Sequence, residues 1–232
     1  ILIVPLFVIP GIVGGLLMGG ICRMTNWPNG ALGSFAVLPL LLGAIEPRDA
    51  LPDLAAEFGT PLYVMDEGDV RSRAVAVRSA FDTAFAGVGS AAHVYYAGKA
   101  FLCTTVARWV VEEGLRIDVA SGGELAVALA AGIDPALLGL HGNNKSLAEI
   151  DRAVGVGVGA IVLDSVVEVE RVARAAERHG VVQPVRLRIN SGVHASTHEY
   201  LATAREDQKF GIPLAEAVDV VAAVRSHAAL RF

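Results

Sequence analysis

The chain has 232 residues, of which 53% are hydrophobic and 19% charged, and a formal net charge of -5 at pH 7. This length and apolar content are sufficient for one large domain or two small ones with a buried core. The mild acidity argues against a nucleic-acid partner, because such proteins carry positive surfaces that neutralise phosphates. Two cysteines, Cys22 and Cys103, are too few for a disulfide framework or a zinc site. We therefore expect a reducing, cytoplasmic location.

The first 45 residues differ in composition from the rest of the chain. Residues 1–21 carry no charge and are long enough to span a membrane. However, their prolines and glycines disfavour a continuous helix, and no basic segment precedes them as in a signal peptide. We interpret residues 1–45 as an apolar segment of unknown role, either an anchor or a mistranslated extension. Residues 46–232 are predicted to form the folded domain, which we expect to have no membrane contact of its own.

From Leu51 onward, short β-branched runs alternate with longer stretches of helical periodicity, which is the pattern of a parallel α/β fold. The predicted strands are Pro61–Met65, His93–Tyr96, Arg116–Val119, Leu137–Leu140, Ala160–Leu163, Pro184–Ile189 and a run that opens at Leu230. Buried helical faces are predicted at Leu102, Val106 and Trp109 and at Val169, Val172 and Ala176.

Three Ser-x-x-Glu segments predict capped helix starts, each a few residues after a strand. They are Ser121 with Glu124, Ser146 with Glu149, and Ser165 with Glu168. Glycines stand where helices should end, at Gly114, Gly132 and Gly180. The glycine-rich segment 155–159 precedes a strand instead of following one. We therefore interpret it as an αβ connection and not as a dinucleotide-binding loop.

Each apolar run terminates in a polar or charged residue. These residues are Lys99, Asp118, His141, Asp164, Arg188 and Asn190. In a barrel, all of them would converge on the mouth at the carboxyl ends of the strands. A doubly wound sheet would gather only those beside its switch point. The pattern therefore favours a (β/α)8 barrel.

Lys99 is the leading candidate for chemistry, because it ends a strand between two small residues, where desolvation would activate its amine as a nucleophile. Asp118, at the end of the next strand, would position that amine, although an ordinary turn carboxylate is an equally good interpretation. Arg188 lies in an apolar strand, so we expect an anionic ligand group or an acid such as Asp118 beside it. His141 opens a polar cluster and would contact a ligand.

The polar segment from Asn190 to Phe210 is predicted to be a functional loop, because long loops in compact domains often carry function. Within it, His194 and His198 have the spacing of metal ligands on a helix. Gly192 and the neighbouring serine and threonine disfavour a helix there. We therefore predict no metal site.

Four motifs resemble those of the diaminopimelate decarboxylases, which use pyridoxal 5'-phosphate (PLP). The motifs are Tyr96-Ala-Gly-Lys99-Ala, Ile117-Asp118-Val-Ala-Ser-Gly-Gly-Glu124-Leu, His141-Gly-Asn-Asn-Lys-Ser146, and Thr197-His-Glu-Tyr with Asp207-Gln-Lys209-Phe-Gly211. The resemblance covers about residues 53–232. The first two motifs are shared among related amino-acid decarboxylases, whereas the last two are more specific. One departure is Gly98, which stands where the family has alanine or a larger residue.

The resemblance implies an alanine-racemase-like PLP barrel in which Lys99 forms the Schiff base with the cofactor. It places Asp118 and Arg188 in the cofactor pocket as a polar pair, and His141 at the same mouth. The implied reaction converts the small-molecule substrate meso-diaminopimelate to L-lysine and CO2, the last step of lysine biosynthesis, in a homodimer. In the family a β-domain follows the barrel. We therefore expect a truncated, incomplete barrel that is unstable and inactive by itself.

Two alternatives remain open. A non-catalytic PLP-carrier protein has a similar single barrel and would lack the β-domain. Another fold-type III amino-acid decarboxylase or a racemase would share the cofactor lysine but lack residues that hold a second, distal amino-carboxylate group of the substrate.

Overall fold

The structure is a computed structural model that describes residues 2–5, 51–190 and 210–232. The helices are α1 (Leu51–Phe58), α2 (Glu67–Ala86), α3 (Thr104–Glu112), α4 (Gly122–Ala130), α5 (Leu147–Val156), α6 (Val166–His179) and α7 (Ala217–Ser226). The strands are β1 (Leu2–Pro5), β2 (Leu62–Met65), β3 (Tyr95–Ala97), β4 (Arg116–Val119), β5 (Leu138–Leu140), β6 (Ala160–Leu163), β7 (Gln183–Leu187), β8 (Ile189–Asn190), β9 (Ile212–Pro213) and β10 (Leu230–Arg231). Short 3₁₀ turns occupy Gly98–Ala100, Pro135–Leu137 and Leu214–Glu216.

Within the described residues, six strands form one parallel sheet in the order β10-β7-β6-β5-β4-β3. From β3 to β7, consecutive strands are neighbours joined through a helix, which is the βαβ arrangement that the sequence predicts. In this sheet Ala97 pairs with Asp118, and Asp118 pairs with Gly139. The predicted α/β class is confirmed, and the parallel pairing brings the carboxyl ends of these strands to one edge.

The core of the sheet is apolar and closely covered by helices. Ile117, Leu140 and Ile161 on the strands are fully buried. The predicted helical faces are buried at Val106 and Trp109 on α3 and at Val169, Val172 and Ala176 on α6. Leu102, which was predicted on the first of these faces, lies before α3 and is only half-buried. This burial fixes which face of each strand meets the helices, and therefore which side chains point the other way.

The first predicted strand differs in its pairing. It forms as β2, but β2 pairs antiparallel with β1 in a separate two-stranded sheet. An edge strand has free backbone donors and acceptors, and an extended apolar segment such as Leu2–Pro5 can pair with them without following the βαβ pattern. The proposed boundary between residues 45 and 46 lies outside the described residues, as does the remainder of the apolar segment.

Two compact units divide the chain. The second unit, comprising Tyr95–Val111 and Leu115–Phe232, contains the six-stranded sheet and the predicted site residues. The first unit comprises Ile1–Val94 and Glu112–Gly114 and includes β2 and α2. None of the helices in the described ranges is both long and apolar enough to cross a membrane.

The glycine-rich segment 155–159 is an αβ connection, as predicted. Helix α5 ends at Val156, Gly157 has a φ of 79°, and β6 begins at Ala160. A Cβ on Gly159 would collide with the carbonyl oxygen of Ala136, so no larger residue fits there. The three predicted helix-end glycines also have positive φ angles.

The capping box at the start of α5 is complete. The Ser146 hydroxyl accepts from the Glu149 backbone N–H at 3.2 Å, and the Glu149 carboxylate accepts from the Ser146 N–H at 2.9 Å. Glu149 also accepts from the Gly122 N–H at 2.7 Å, which joins the first turns of α5 and α4. These backbone hydrogen bonds to Ser146 and Gly122 hold the pKa of Glu149 below its usual value.

The other two predicted boxes are incomplete, and those parts of the prediction are wrong. At α4, Ser121 accepts from the Glu124 N–H, but the Glu124 carboxylate accepts from Ala120 instead of Ser121. At α6, Ser165 makes no side-chain capping bond. The carboxylate of Glu168, which the prediction pairs with Ser165, instead forms an ion pair with the buried ammonium of Lys145.

We predict that Glu149→Gln lowers the free energy of unfolding at neutral pH by about 0.5 kcal/mol, because it removes a charge at a helix N-terminus. The folded-state pKa of Glu149 is lower than its unfolded value, so its stabilisation is complete above the unfolded pKa. That stabilisation is lost as the pH falls through the folded pKa. The urea unfolding curves of the wild type and Glu149→Gln should therefore differ at neutral pH and converge at acidic pH. Glu177→Gln, at an exposed position of α6, is the control. A difference independent of pH would contradict the assignment.

Candidate active site

A cavity of about 410 Å³ lies along one face of the parallel sheet. It is lined by Tyr95, Ala97, Asp118, Gly139, His141, Val162, Arg186, Leu187 and Arg188. Its size is within the range of small-molecule and cofactor sites. Three of the four predicted site residues, Asp118, His141 and Arg188, therefore meet at this cavity. The polar strand ends predict a convergence of all six residues, of which these three line the cavity.

Lys99 is placed differently from the other three. It lies in the 3₁₀ turn Gly98–Ala100, two residues beyond the cavity residue Ala97, and is exposed. Among the described residues no hydrogen bond or ion pair involves its amine. The expectation of a desolvated amine is therefore wrong for this structure, because the turn carries Lys99 past the last residue of β3.

Asp118 and His141 form one pair in the cavity. Oδ2 of Asp118 lies 3.1 Å from Nδ1 of His141, and the two side chains are 25% and 34% exposed, respectively. In the neutral imidazole, Nδ1–H donates to the carboxylate, and Nε2 is left as an acceptor. Nε2 is buried and has no hydrogen-bond partner within the described part of the chain. An unsatisfied buried nitrogen beside a cavity is a feature that a bound polar group would satisfy.

Arg188 forms a second pair, and its partner is Asp164 and not Asp118. Nη1 of Arg188 lies 2.9 Å from Oδ1 of Asp164, whose side chain is only 4% exposed. The backbone N–H of Arg188 donates to the carbonyl oxygen of Leu163, which places Arg188 beside Asp164, the residue after Leu163. Asp118 lies on β4, three strands from β7 in the sheet. The predicted Asp118–Arg188 pair is therefore wrong, because strand order separates the two side chains.

The segment after the long predicted loop completes the support of Arg188. The Gly211 N–H donates to Oδ2 of Asp164 at 3.2 Å, and the Arg188 guanidinium lies 5.1 Å from the Phe210 ring centroid. His194 and His198 lie outside the described residues, as does most of that loop. The residues that are described contain no group of three His, Cys, Asp or Glu able to hold a metal ion.

The Lys99 turn is held by a hydrogen bond across it and by close packing at Gly98. The Tyr96 hydroxyl donates to the carbonyl oxygen of Phe101 at 2.6 Å, which closes a loop around the turn. A Cβ on Gly98 would lie 3.0 Å from the carbonyl oxygen of Asp118, so glycine permits a close approach to the end of β4. Burial, with a smaller contribution from Cys103, raises the pKa of Tyr96 to about 12.

Sequence reasoning missed a group of three side chains on the same face of the sheet. The Tyr95 hydroxyl lies 3.2 Å from Nη1 of Arg116 and 3.1 Å from Nη2 of Arg186, and accepts a hydrogen bond from each. Both guanidiniums also lie over the Tyr95 ring. The available signal was the two-residue spacing of Arg186 and Arg188, because strand residues two apart share a face.

Comparison with known proteins decides the family. Residues 67–231 match the family described as the pyridoxal-dependent decarboxylase, pyridoxal binding domain. The chain belongs to this family of pyridoxal-dependent decarboxylases. The predicted resemblance and the predicted cofactor class are thereby confirmed.

Named relatives agree with this family. The diaminopimelate decarboxylase of Mycobacterium leprae is 54% identical over 175 residues, which are 75% of this chain and 35% of that protein. That of Mycobacterium tuberculosis strain H37Rv is 53% identical over 175 residues, 75% of this chain and 37% of that protein. The solved diaminopimelate decarboxylase of M. jannaschii in complex with L-lysine has a TM-score of 0.68 at 28% identity, covering 77% of this chain and 42% of that one. The chain thus spans little more than a third of its curated relatives.

The residues at the cavity fit a pyridoxal group. A pyridine ring with polar substituents requires hydrogen-bonding partners and a flat cavity wall. The unpartnered Nε2 of His141 and the Arg188 guanidinium supply polar contacts. Lys99 lies on the turn that directly follows the cavity residue Ala97.

We predict that Tyr96→Phe loosens the Lys99 turn. Loss of the hydroxyl leaves the Phe101 carbonyl without this donor and should lower the free energy of unfolding by about 1 kcal/mol. Amide hydrogen exchange at residues 98–101 should accelerate. The phenol that titrates at about pH 12 should disappear from an ultraviolet titration. Tyr63→Phe, in β2, is the control. Unchanged exchange at residues 98–101 in Tyr96→Phe would show that the hydroxyl does not hold the turn.

Proposed function

We propose that the full-length protein decarboxylates meso-diaminopimelate to L-lysine and CO2, with PLP attached to Lys99. The observation that carries this proposal is 54% identity to a diaminopimelate decarboxylase over 175 residues, which are 75% of this chain. The arrangement of Asp118, His141 and Arg188 around one cavity supports it. Nothing in the charge or composition of the chain favours a macromolecular substrate.

Each site residue has a role that follows from its position. Lys99 is exposed on its turn, so its amine is accessible to the carbonyl group of the cofactor. When bound, PLP supplies the electron sink that accepts the electron pair left by the departing CO2. Asp118 fixes the orientation of the His141 ring through Nδ1, so that Nε2 stays available to a ligand.

Arg188 contributes a fixed positive charge at the other side of the cavity. Asp164 is nearly fully buried and holds one end of the guanidinium, while Phe210 packs against its face. A guanidinium held in this way has further N–H donors for an anionic group of a cofactor or substrate. The two acid-supported pairs therefore give the cavity one imidazole acceptor and one cation in defined orientations.

Lys99→Ala and Lys99→Arg test the attachment of the cofactor. The arginine variant keeps the positive charge but cannot form the covalent bond. In both variants we expect the full-length protein to lose the visible absorbance of lysine-bound PLP. Borohydride reduction followed by peptide mapping should label Lys99 in the wild type. Retained absorbance, or label on a different lysine, would refute the assignment.

The substrate is tested by CO2 release from meso-diaminopimelate, with L-lysine measured as the product. Ornithine, arginine and L-lysine serve as competing substrates. We expect turnover of meso-diaminopimelate alone, because the high identity is to proteins named for this reaction. Turnover of another amino acid instead would indicate a sister decarboxylase. Stable PLP binding without turnover of any of them would indicate a carrier protein.

We further propose that the protein is a cytoplasmic homodimer whose partner in the reaction is a small amino acid. The support is the family resemblance together with the two-cysteine composition and the mild acidity. Light scattering of the full-length protein measures the oligomeric state, and a monomer that turns over substrate would contradict the dimer.

A further inference from the structure

A buried ion pair lies next to the cavity and has no role in the chemistry described above. Nζ of Lys145 is 2.8 Å from Oε2 of Glu168, and the two side chains are 2% and 3% exposed. Nζ also donates to the carbonyl oxygens of Gly142 at 2.6 Å and Val162 at 2.8 Å. All three ammonium N–H groups thus have acceptors.

The backbone groups that hydrogen-bond to this pair belong to residues at or next to the cavity. Gly142 directly follows His141, and Val162 itself lines the cavity. Glu168 additionally accepts from the Asp164 backbone N–H at 2.9 Å. Because Asp164 is the carboxylate that holds Arg188, the cluster supports both polar sides of the cavity.

The turn at His141 is held from two sides. On one side, the His141 N–H donates to the Val119 carbonyl at 2.7 Å, and a Cβ on Gly142 would lie 3.0 Å from the Ala120 carbonyl oxygen. On the other side, the Lys145 ammonium holds the Gly142 carbonyl. The backbone that carries the imidazole is therefore fixed relative to both β4 and β6.

Stability alone does not account for a buried lysine and glutamate at this place. Removing two charges from water is costly, and packed apolar residues of the same volume generally stabilise a fold at least as well. What an apolar pair would not supply is the set of hydrogen bonds to the backbone at Gly142, Val162 and Asp164. Fully satisfied buried polar networks of this kind fix a single arrangement of the groups they join.

We propose that Lys145 and Glu168 are positioning residues that orient the His141 imidazole and the Arg188 guanidinium in the pyridoxal site. The part of this inference that concerns PLP rests on the proposed function. The part that concerns the orientation of His141 does not, because that orientation is measured in the protein without cofactor.

The experiment uses Lys145→Met, Glu168→Gln and the double variant in the full-length protein. Glu168→Gln keeps the side-chain shape and an acceptor for Asp164, so it remains informative if Lys145→Met does not fold. The matched control is Glu170→Gln with Arg174→Met, which removes an exposed ion pair of 2.6 Å on the same helix.

The first measurement, without cofactor, is the downfield NMR resonance of the His141 Nδ1 proton bonded to Asp118, assigned by its loss in Asp118→Ala. The second is equilibrium binding of PLP.

We expect each single variant to shift or lose the His141 resonance and to weaken PLP binding by about tenfold or more. The double variant should regain thermal stability, because no unpaired buried charge remains, but should recover neither the resonance nor the PLP affinity. The control should leave the His141 resonance, the PLP affinity and the thermal stability unchanged. If the pair served stability alone, the double variant would recover the resonance and the PLP affinity together with its thermal stability.

A wild-type resonance and wild-type PLP affinity in the stable double variant would overturn the proposal. If the wild type binds no PLP, the proposed function is overturned. If the variants nevertheless shift the His141 resonance, the positioning of His141 is supported. An unshifted resonance in both single variants would overturn the positioning role whatever the PLP affinity.

Discussion

The parallel hydrogen-bond register of β3, β4 and β5 is the constraint on which the site depends. It pairs Ala97 with Asp118 and Asp118 with Gly139, so these residues share one face of the sheet. A slip of one residue would turn Asp118 into the helix-covered core, where an unpaired carboxylate is costly. Gly139 completes the arrangement, since a Cβ there would lie 3.3 Å from Cε1 of Tyr95. The cavity thus follows from sheet geometry, and its chemistry follows from the side chains that this geometry turns inward.

Beyond the strand ends, three glutamates of the same local motif have acquired three different tertiary roles. Glu149 completes its capping box and also bridges to Gly122 on the neighbouring helix. Glu124 supports the loop after β4. The Glu168 carboxylate pairs with the Lys145 ammonium and not with the Ser165 N–H, because a buried ammonium is a stronger partner than one backbone N–H. Carboxylates that accept backbone N–H groups are therefore the recurrent means by which these loops are held beside the cavity.

Lys99 and the cavity residues lie in structurally different surroundings. Lys99 stands on an exposed turn, whereas the residues that would orient a ligand stand on or directly after buried strands. Side chains based on strands are held more precisely than side chains on loops, and each of these has a supporting carboxylate. Tyr96 compensates for the exposed position of Lys99 by closing the turn through the Phe101 carbonyl.

The sequence alone located most of the strands and the polar residues at their ends, although the predicted strand His93–Tyr96 forms as Tyr95–Ala97 and the predicted strand Pro184–Ile189 is divided into β7 and β8. Arg116–Val119 and Ala160–Leu163 have the predicted bounds, because a strand is defined by an apolar pattern within a few residues. The motifs likewise indicated the family to which the chain belongs. These features depend on interactions between near neighbours in the chain, and a linear pattern records them.

Only the tertiary structure decided which partner each charge takes. Asp118 pairs with His141 across 23 residues, and Arg188 pairs with Asp164 across 24 residues. The sequence placed all four at strand ends but could not choose between Asp118 and Asp164 for Arg188. That choice depends on strand order and on a register that puts Arg188 beside β6. The buried Lys145–Glu168 pair was hidden for the same reason, since burial of a lysine is a property of everything packed around it.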